Sequence, residues 1–164
     1  MSASGLDVFD KTLQTTHIWL KDIMDVTGAD RQVAWHVLGA VLRAVRDRVP
    51  LELAVHLGAE LPILVRGTYY DQWRPELQPE RYRSLGEFLD RVSAGLGGIR
   101  PVDPRDAARS VFGVLTRHLP AGQVGKVRNA LPEDVRALWH ESASVQGRHE
   151  VELERDHQRS TGRG

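Results

Sequence analysis

Apolar residues recur along the chain at three- and four-residue steps, and glycine or proline interrupts the steps. That spacing lines up one face of a helix, whereas a half-buried strand alternates every second residue. The first such stretch, residues 6–27, places Leu6, Phe9, Leu13, Leu20, Met24 and Thr27 on one face, widened by Trp19, Ile23 and Val26. Ser4 stands where it can cap this helix, with Asp7 three residues on, and Gly28 stops it. Asp30 opens a second helix that reaches Arg48 through Val33, Val37, Leu38, Val41, Leu42 and Val45. Arg43, Arg46 and Arg48 gather near its C-terminus, where positive charge suits the helix dipole, but Asp47 has the wrong sign there. Asp47 is therefore expected to pair with an arginine beyond its own turn, Arg66 first.

Pro50 and Pro62 each suit the first turn of a short helix. The third helix turns Leu53, Ala54 and Leu57 inward, and the fourth carries Ile63, Leu64, Val65 and Tyr69. Residues 71–83, with Pro75 and Pro79, read as a connection. Ser84 and Glu87 form a capping box for a fifth helix with Leu85, Phe88, Leu89, Val92 and Leu96, ending at Gly97-Gly98. Asp103-Pro104 opens a sixth, with Ala107, Ala108, Val111, Phe112 and Leu115, and two short helices follow near 121–129 and 132–140. From Ser142 onward apolar residues nearly vanish, so 142–164 is expected to be a disordered polar tail behind a domain spanning 1–141.

One shift carries Val49-Pro50 and Leu61-Pro62 onto Leu119-Pro120 and Leu131-Pro132. The same shift sets Val41 on Val111, Leu42 on Phe112, Val45 on Leu115 and Arg66 on Arg136. With one loop residue deleted, Trp19, Leu20 and Ile23 fall on Phe88, Leu89 and Val92. The expected fold is all-α: a tandem repeat of two similar units of about four helices each, halves 6–74 and 84–141. Two units are too few for a solenoid, so they should pack face to face around one core with approximate two-fold symmetry.

The run from Leu42 to Pro75, with its Arg-Asp-Arg-Val-Pro and Arg-Gly-Thr-Tyr-Tyr-Asp-Gln-Trp segments, resembles the bacterial family known as domain of unknown function 2267. The segment from Leu115 to Trp139 is similar to that family's second half, so the resemblance covers Trp19 to Trp139. Glu60 departs from the family pattern, where glutamine is common, and no amide role is assigned there. The resemblance implies an all-helical tandem repeat and no activity.

Composition narrows the function. Basic and acidic residues balance, 22 against 22, so no net field draws the molecule to nucleic acid or anionic lipid. Cysteine is absent, which removes disulfides, thiol nucleophiles and thiolate-bound zinc. No apolar run approaches a membrane span, and the start lacks a signal peptide, so the cytoplasm is the expected compartment.

No catalytic residue, cofactor or metal is assigned. His56 and Glu60 are one helical turn apart, but two ligands are too few for zinc, and a surface pair is the simpler account. His149, Glu150, Glu152, Glu154, Asp156 and His157 in the tail suggest at most weak divalent-ion binding. Nucleophile elbows, phosphate loops and dinucleotide fingerprints are missing, and Gly95-Leu96-Gly97-Gly98 follows a helix and is a stop signal.

The strongest local signal is Arg66 to Arg74, which holds Tyr69, Tyr70 and Trp73 between two arginines. Such residues dominate binding hot spots. The candidate binding set is Arg46, Asp47, Arg48, Glu60, Arg66, Tyr69, Tyr70, Asp71, Trp73 and Arg74. The competing account is packing, with Tyr69 and Trp73 closing the core. A nucleic-acid patch of Arg43, Arg46, Arg48, Arg66 and Arg74 is diluted by Asp47, Glu52, Glu60 and Asp71 and is disfavoured. The expectation is a cytosolic adaptor that binds another protein or itself, without catalysis. A small-molecule or nucleotide sensor with a pocket between the repeats comes second, and an enzyme third.

Overall fold

The computed structural model describes residues 4–97, 99 and 102–142. Among them every regular element is helical, as the three- and four-residue spacing predicts. The order is α1 (Asp7–Thr27), α2 (Arg31–Arg48), α3 (Leu51–Glu60), α4 (Ile63–Tyr70), a single 3₁₀ turn (Pro75–Leu77), α5 (Leu85–Leu96), α6 (Pro104–His118) and α7 (Ala121–Asn129). Residues 133–142 are helical as well and are called α8.

Local capping chemistry sets several boundaries. The Asp30 carboxylate accepts from the Val33 amide at 2.9 Å and starts α2. The Ser84 hydroxyl accepts from the Glu87 amide at 3.1 Å, and the Glu87 carboxylate accepts from the Arg83 amide at 3.1 Å. Asp103 caps α6 through the Arg105 amide at 2.8 Å. Gly28 ends α1 at φ 69°, a left-handed conformation that a side chain would penalise.

Two expectations about helix starts need correction. Leu6, not Ser4, precedes the first helical residue of α1. Gly5 turns the chain at φ 76°, and the Ser4 hydroxyl donates to the Asp10 carboxylate at 2.8 Å. Pro50 and Pro62 stand one position before α3 and α4, not inside their first turns, with φ of −55° at both.

The core is centred on α2 and α6. α2 packs against α1, α5 and α4, and α6 packs against α1, α5 and α2. Val37, Leu38, Val41, Leu42 and Val45 of α2 and Val111 and Phe112 of α6 are fully buried. Each such large apolar side chain contributes about 1.5–3 kcal/mol relative to exposure. Phe112 stacks on Trp139 of α8 with centroids 4.3 Å apart.

α1 is covered only in part. Thr16, Trp19, Leu20 and Ile23 are buried, whereas Leu6, Phe9 and Leu13 of the expected stripe are 51%, 53% and 45% exposed. The first turns of α1 overhang the core. On α4, Val65 and Tyr69 turn inward, while Ile63 and Leu64 stay exposed. Ser142 is buried and helical, its hydroxyl donating to the Trp139 carbonyl at 2.6 Å, so α8 passes the expected boundary at 141. The rest of the expected tail, 143–164, lies outside the described residues.

Candidate functional site

The structure gathers Asp47, Tyr69, Asp71 and Trp73 of the candidate residues around one buried side chain, Arg46, which is 3% exposed. α4 ends at Tyr70, so its last carbonyls have no helical donor. Arg46 Nη1 supplies one, donating to the carbonyls of Tyr69 at 2.7 Å and Asp71 at 2.9 Å. Its Nε and Nη2 donate to Asp47 Oδ1 at 2.9 and 2.8 Å. The guanidinium also lies 5.9 Å from the centroid of the Trp73 ring. One planar fork thus ties the end of α2 to the end of α4.

The expected Asp47–Arg66 bridge is not formed. Asp47 is held by its own neighbour Arg46, and Arg66 is engaged elsewhere: its Nη2 donates to the carbonyls of Ala59 and Leu61, both at 3.1 Å. The reason is unfilled backbone at the end of α3, where Pro62 interrupts the helical ladder.

The aromatic residues mostly close the core. Tyr69 is fully buried and its hydroxyl donates to the Ala54 carbonyl at 2.5 Å. Burial, and then Tyr70, push the Tyr69 phenol well above its ordinary pKa. Tyr70 is half-buried, edge-on to Tyr69 at 5.0 Å, with its hydroxyl 3.4 Å from the Val55 carbonyl. A Cβ at Gly58 would collide with that hydroxyl, so any larger residue there would have to displace the Tyr70 ring. Trp73 is half-buried and donates from Nε1 to Gln78 Oε1 at 3.2 Å. Asp71 and Arg74 are exposed, and Arg74 pairs with Glu76 at 3.0 Å. The arginines of the suggested basic patch are equally committed, for Arg43 Nη1 donates to Thr68 Oγ1 at 3.0 Å and its carbonyl at 3.2 Å.

Sequence reasoning missed the residues that seal this region, Gln78 and Tyr82. Pro50 has no N–H, so the Arg46 carbonyl lacks its usual donor four residues on. Gln78 Nε2 donates to it at 2.5 Å and also to the Val49 carbonyl. The Glu80 amide donates to the Asp47 carbonyl at 2.7 Å, and Arg48 Nε to the Tyr82 carbonyl at 2.8 Å. Tyr82 is itself buried, its hydroxyl donates to the Ala44 carbonyl at 2.8 Å, and burial raises its pKa. The available signal was the proline, which predicts an orphan carbonyl four residues before it.

A different place stays open. A groove of about 490 Å³ runs between the overhanging start of α1, the α3–α4 junction and the end of α6. Val8, Lys11, Thr12, Thr15 and Trp19 form one wall, and residues 59–63 with Arg66 form the second. His118 and Leu119 form the third. Only Glu60 and Arg66 of the candidate set reach it. Trp19 stacks on His118 with centroids 5.7 Å apart, and His118 Nε2 lies 2.9 Å from the Asp22 carboxylate. Among the described residues nothing hydrogen-bonds Thr12 Oγ1 or Arg66 Nε, both buried there.

Among the described residues no three His, Asp or Glu side chains gather as a metal site, and His56 and Glu60 are both exposed on α3. The tail residues named as weak ion ligands lie outside the described residues. No described helix is long and apolar enough to cross a membrane. No curated protein matches the chain. A family model described as an uncharacterized conserved protein matches residues 16–138, from the buried part of α1 into α8. That span covers most of the helical core and the Arg46 network, and the chain belongs to the DUF2267 family.

Proposed function

We propose that the chain is a cytosolic, non-catalytic helical adaptor that takes a protein partner in the groove between α1, the α3–α4 junction and α6. The observation that carries this is the division of labour between the two candidate places. The arginine–aromatic cluster directs its donors to the chain's own carbonyls, while the groove keeps exposed apolar and charged walls. Val8 and Ile63 at its edge are 52% and 55% exposed, which is the type of surface a partner desolvates.

The adaptor is built, in this account, from two packed copies of one unit: α1–α4 and α5–α8. Several independent facts support that. α1 and α5 both end at a glycine of positive φ, Gly28 and Gly97. The packing of α2 on α5 has its mirror in α1 on α6. The shift that relates the two Leu-Pro or Val-Pro pairs sets Arg46 on Thr116 and Tyr69 on Trp139. Both pairs touch: Arg46 donates to the Tyr69 carbonyl, and Trp139 Nε1 donates to Thr116 Oγ1 at 2.9 Å. The groove then lies on the seam, with two walls from the first copy and one from the second.

The test is selection of peptides from a random display library on the immobilised chain, with the Val8→Asp/Ile63→Asp double variant as counter-target. Binders retained by the parent and lost by the variant are expected. Binders indifferent to the substitutions, or none, would remove the groove from consideration. Thermal stabilisation by nucleotides or metabolites that survives the double variant would favour a sensor with another pocket.

A further inference from the structure

The chain carries its own example of how such a groove is filled. The link after α4 leaves the helix at Asp71, makes the 3₁₀ turn at Pro75–Leu77 and runs on without regular structure from Gln78, extended at φ −79° and ψ 132°, to Ser84, extended at φ −130° and ψ 159°. It lies across the C-terminal end of α2. There Gln78 donates to the Arg46 and Val49 carbonyls and the Glu80 amide to the Asp47 carbonyl, while the Arg48 side chain donates to the Tyr82 carbonyl.

The repeat shift carries this docking place onto the groove. Arg48 and Val49, which hold the link, fall on His118 and Leu119, which line the groove. Phe88, which faces Tyr82 of the link at 6.0 Å, has Trp19 as its counterpart in the groove wall. The backbone fault recurs too. Pro120 stands four residues after Thr116 as Pro50 does after Arg46, so the Thr116 carbonyl has no helical donor. Among the described residues no group donates to the Thr116 or Leu119 carbonyl. In the first copy residues 7–15 are helical and do not cross α6 as the link crosses α2.

We propose that the groove takes an extended peptide segment of a partner protein, seated at the end of α6 as residues 74–83 are seated at the end of α2. Its side-chain donor meets the Leu119 and Thr116 carbonyls, as Gln78 meets those of Val49 and Arg46. Its carboxylate meets Lys11 and Arg66. The charges of the lining favour that sign, since Lys11 and Arg66 face one acid, Glu60. An acceptor near Arg66 Nε also relieves a buried donor that has no partner among the described residues. This occupant deepens the adaptor proposal and rests on the same groove.

The probe is a synthetic peptide copying residues 74–84, Arg-Pro-Glu-Leu-Gln-Pro-Glu-Arg-Tyr-Arg-Ser, titrated into the intact, isotope-labelled chain and followed by NMR. Saturable shifts are expected at Lys11, Thr15, the Trp19 indole, Ile63 and His118. Replacing the peptide's glutamine by alanine should weaken binding about five-fold, the loss of roughly one net hydrogen bond. Lys11→Glu in the protein should weaken it by a similar factor without moving the unfolding midpoint. Shifts confined to Arg48, Val49 and Tyr82 would mean that the peptide only displaces the chain's own link, and would overturn the proposal. So would an absence of shifts at millimolar peptide. Should display selection still yield helical binders that the groove variant loses, the extended mode falls and the groove survives. Should neither experiment find a binder, both fall.

Discussion

The ends of α2 and α6 are alike in sequence logic and opposite in outcome. Each runs into a proline, Pro50 or Pro120, that deletes the donor for a carbonyl four residues earlier. At α2 the chain returns through Gln78, Glu80 and Tyr82 and closes the gap. Among the described residues no segment does so at α6, and a groove of about 490 Å³ lies beside His118 and Leu119. Among the described residues the same backbone fault is a structural seal in one place and borders a groove in the other. Stability should therefore concentrate at the α2 end, and binding at the α6 end.

The sharpest way to break that contrast is at Arg46. Arg46→Ala would leave the carbonyls of Tyr69 and Asp71 and the Asp47 carboxylate without their common donor. A cost on the order of 4 kcal/mol is expected, as for removing one partner of a buried charged network. Urea unfolding with an unchanged slope would measure it. Arg46→Lys should recover less than half, because one ammonium cannot reach two carbonyls and a carboxylate in the guanidinium's plane. A loss under about 1 kcal/mol for Arg46→Ala would show the network to be ornamental and revive the cluster as a binding surface.

Gln78→Ala comes next. It strips the Arg46 and Val49 carbonyls of their donor and frees the Trp73 indole, for an expected loss of about 2 kcal/mol. If it instead cost nothing, the link would not be a seal, and its value as a pattern for a groove occupant would go with it.

How far all this was legible from sequence depends on the range of the interaction. The helices were legible because an amphipathic period is local, and so were the starts at Asp30, Ser84 and Asp103, where the cap bonds residues two or three positions away. The overhang of α1 was not. Period tells which face of a helix is apolar, but not whether a neighbour exists to cover Phe9 and Leu13. Asp47 needed a partner, as its place against the dipole implied. The partner was adjacent Arg46, because a long guanidinium stem can fold back where helix-face spacing suggests separation. Gln78 and Tyr82 sit in a proline-rich connection with no period at all. The groove joins α1 to α6, and nothing local in either helix announces it.

Two phenols offer a third measurement at the closed end. Burial raises the pKa of both Tyr69 and Tyr82 above the ordinary 10.0, so each resists ionising while the chain is folded. A raised folded-state value means full stability below pH 10.0 and progressive loss above it, as the unfolded chain alone sheds those protons. Each phenol then contributes a fall of about 1.4 kcal/mol per pH unit. Tyr69→Phe should cost about 1 kcal/mol at neutral pH, from the lost bond to the Ala54 carbonyl, and should remove its share of the alkaline slope. An unchanged slope would mean that Tyr69 ionises in the folded protein and is not sealed.

The smallest effect on stability is expected at the open end. Ile63 is 55% exposed beside Pro62 at the start of α4, where it covers nothing in the core. A carboxylate placed there stays in water and sits near the positive end of a helix dipole, so it has no reason to unfold the chain. Ile63→Asp should shift stability by no more than about 0.5 kcal/mol. Its effect on the groove is different in kind, for it puts a second negative charge beside Glu60, where the peptide's carboxylate is to be held by Lys11 and Arg66. Peptide affinity should therefore fall at least about ten-fold, because an apolar anchor is removed and a repulsion takes its place. Stability and binding would then separate cleanly, with Arg46→Ala unfolding the protein and Ile63→Asp disarming a protein that still folds. If Ile63→Asp instead lowered the melting temperature by many degrees, α4 would be relying on that side chain, and the groove would be a packed surface opened only in part. A conservative partner, Ile63→Ser, distinguishes the two causes. It removes the apolar side chain without adding charge, so it should weaken binding by only a few-fold and leave the urea midpoint where it was.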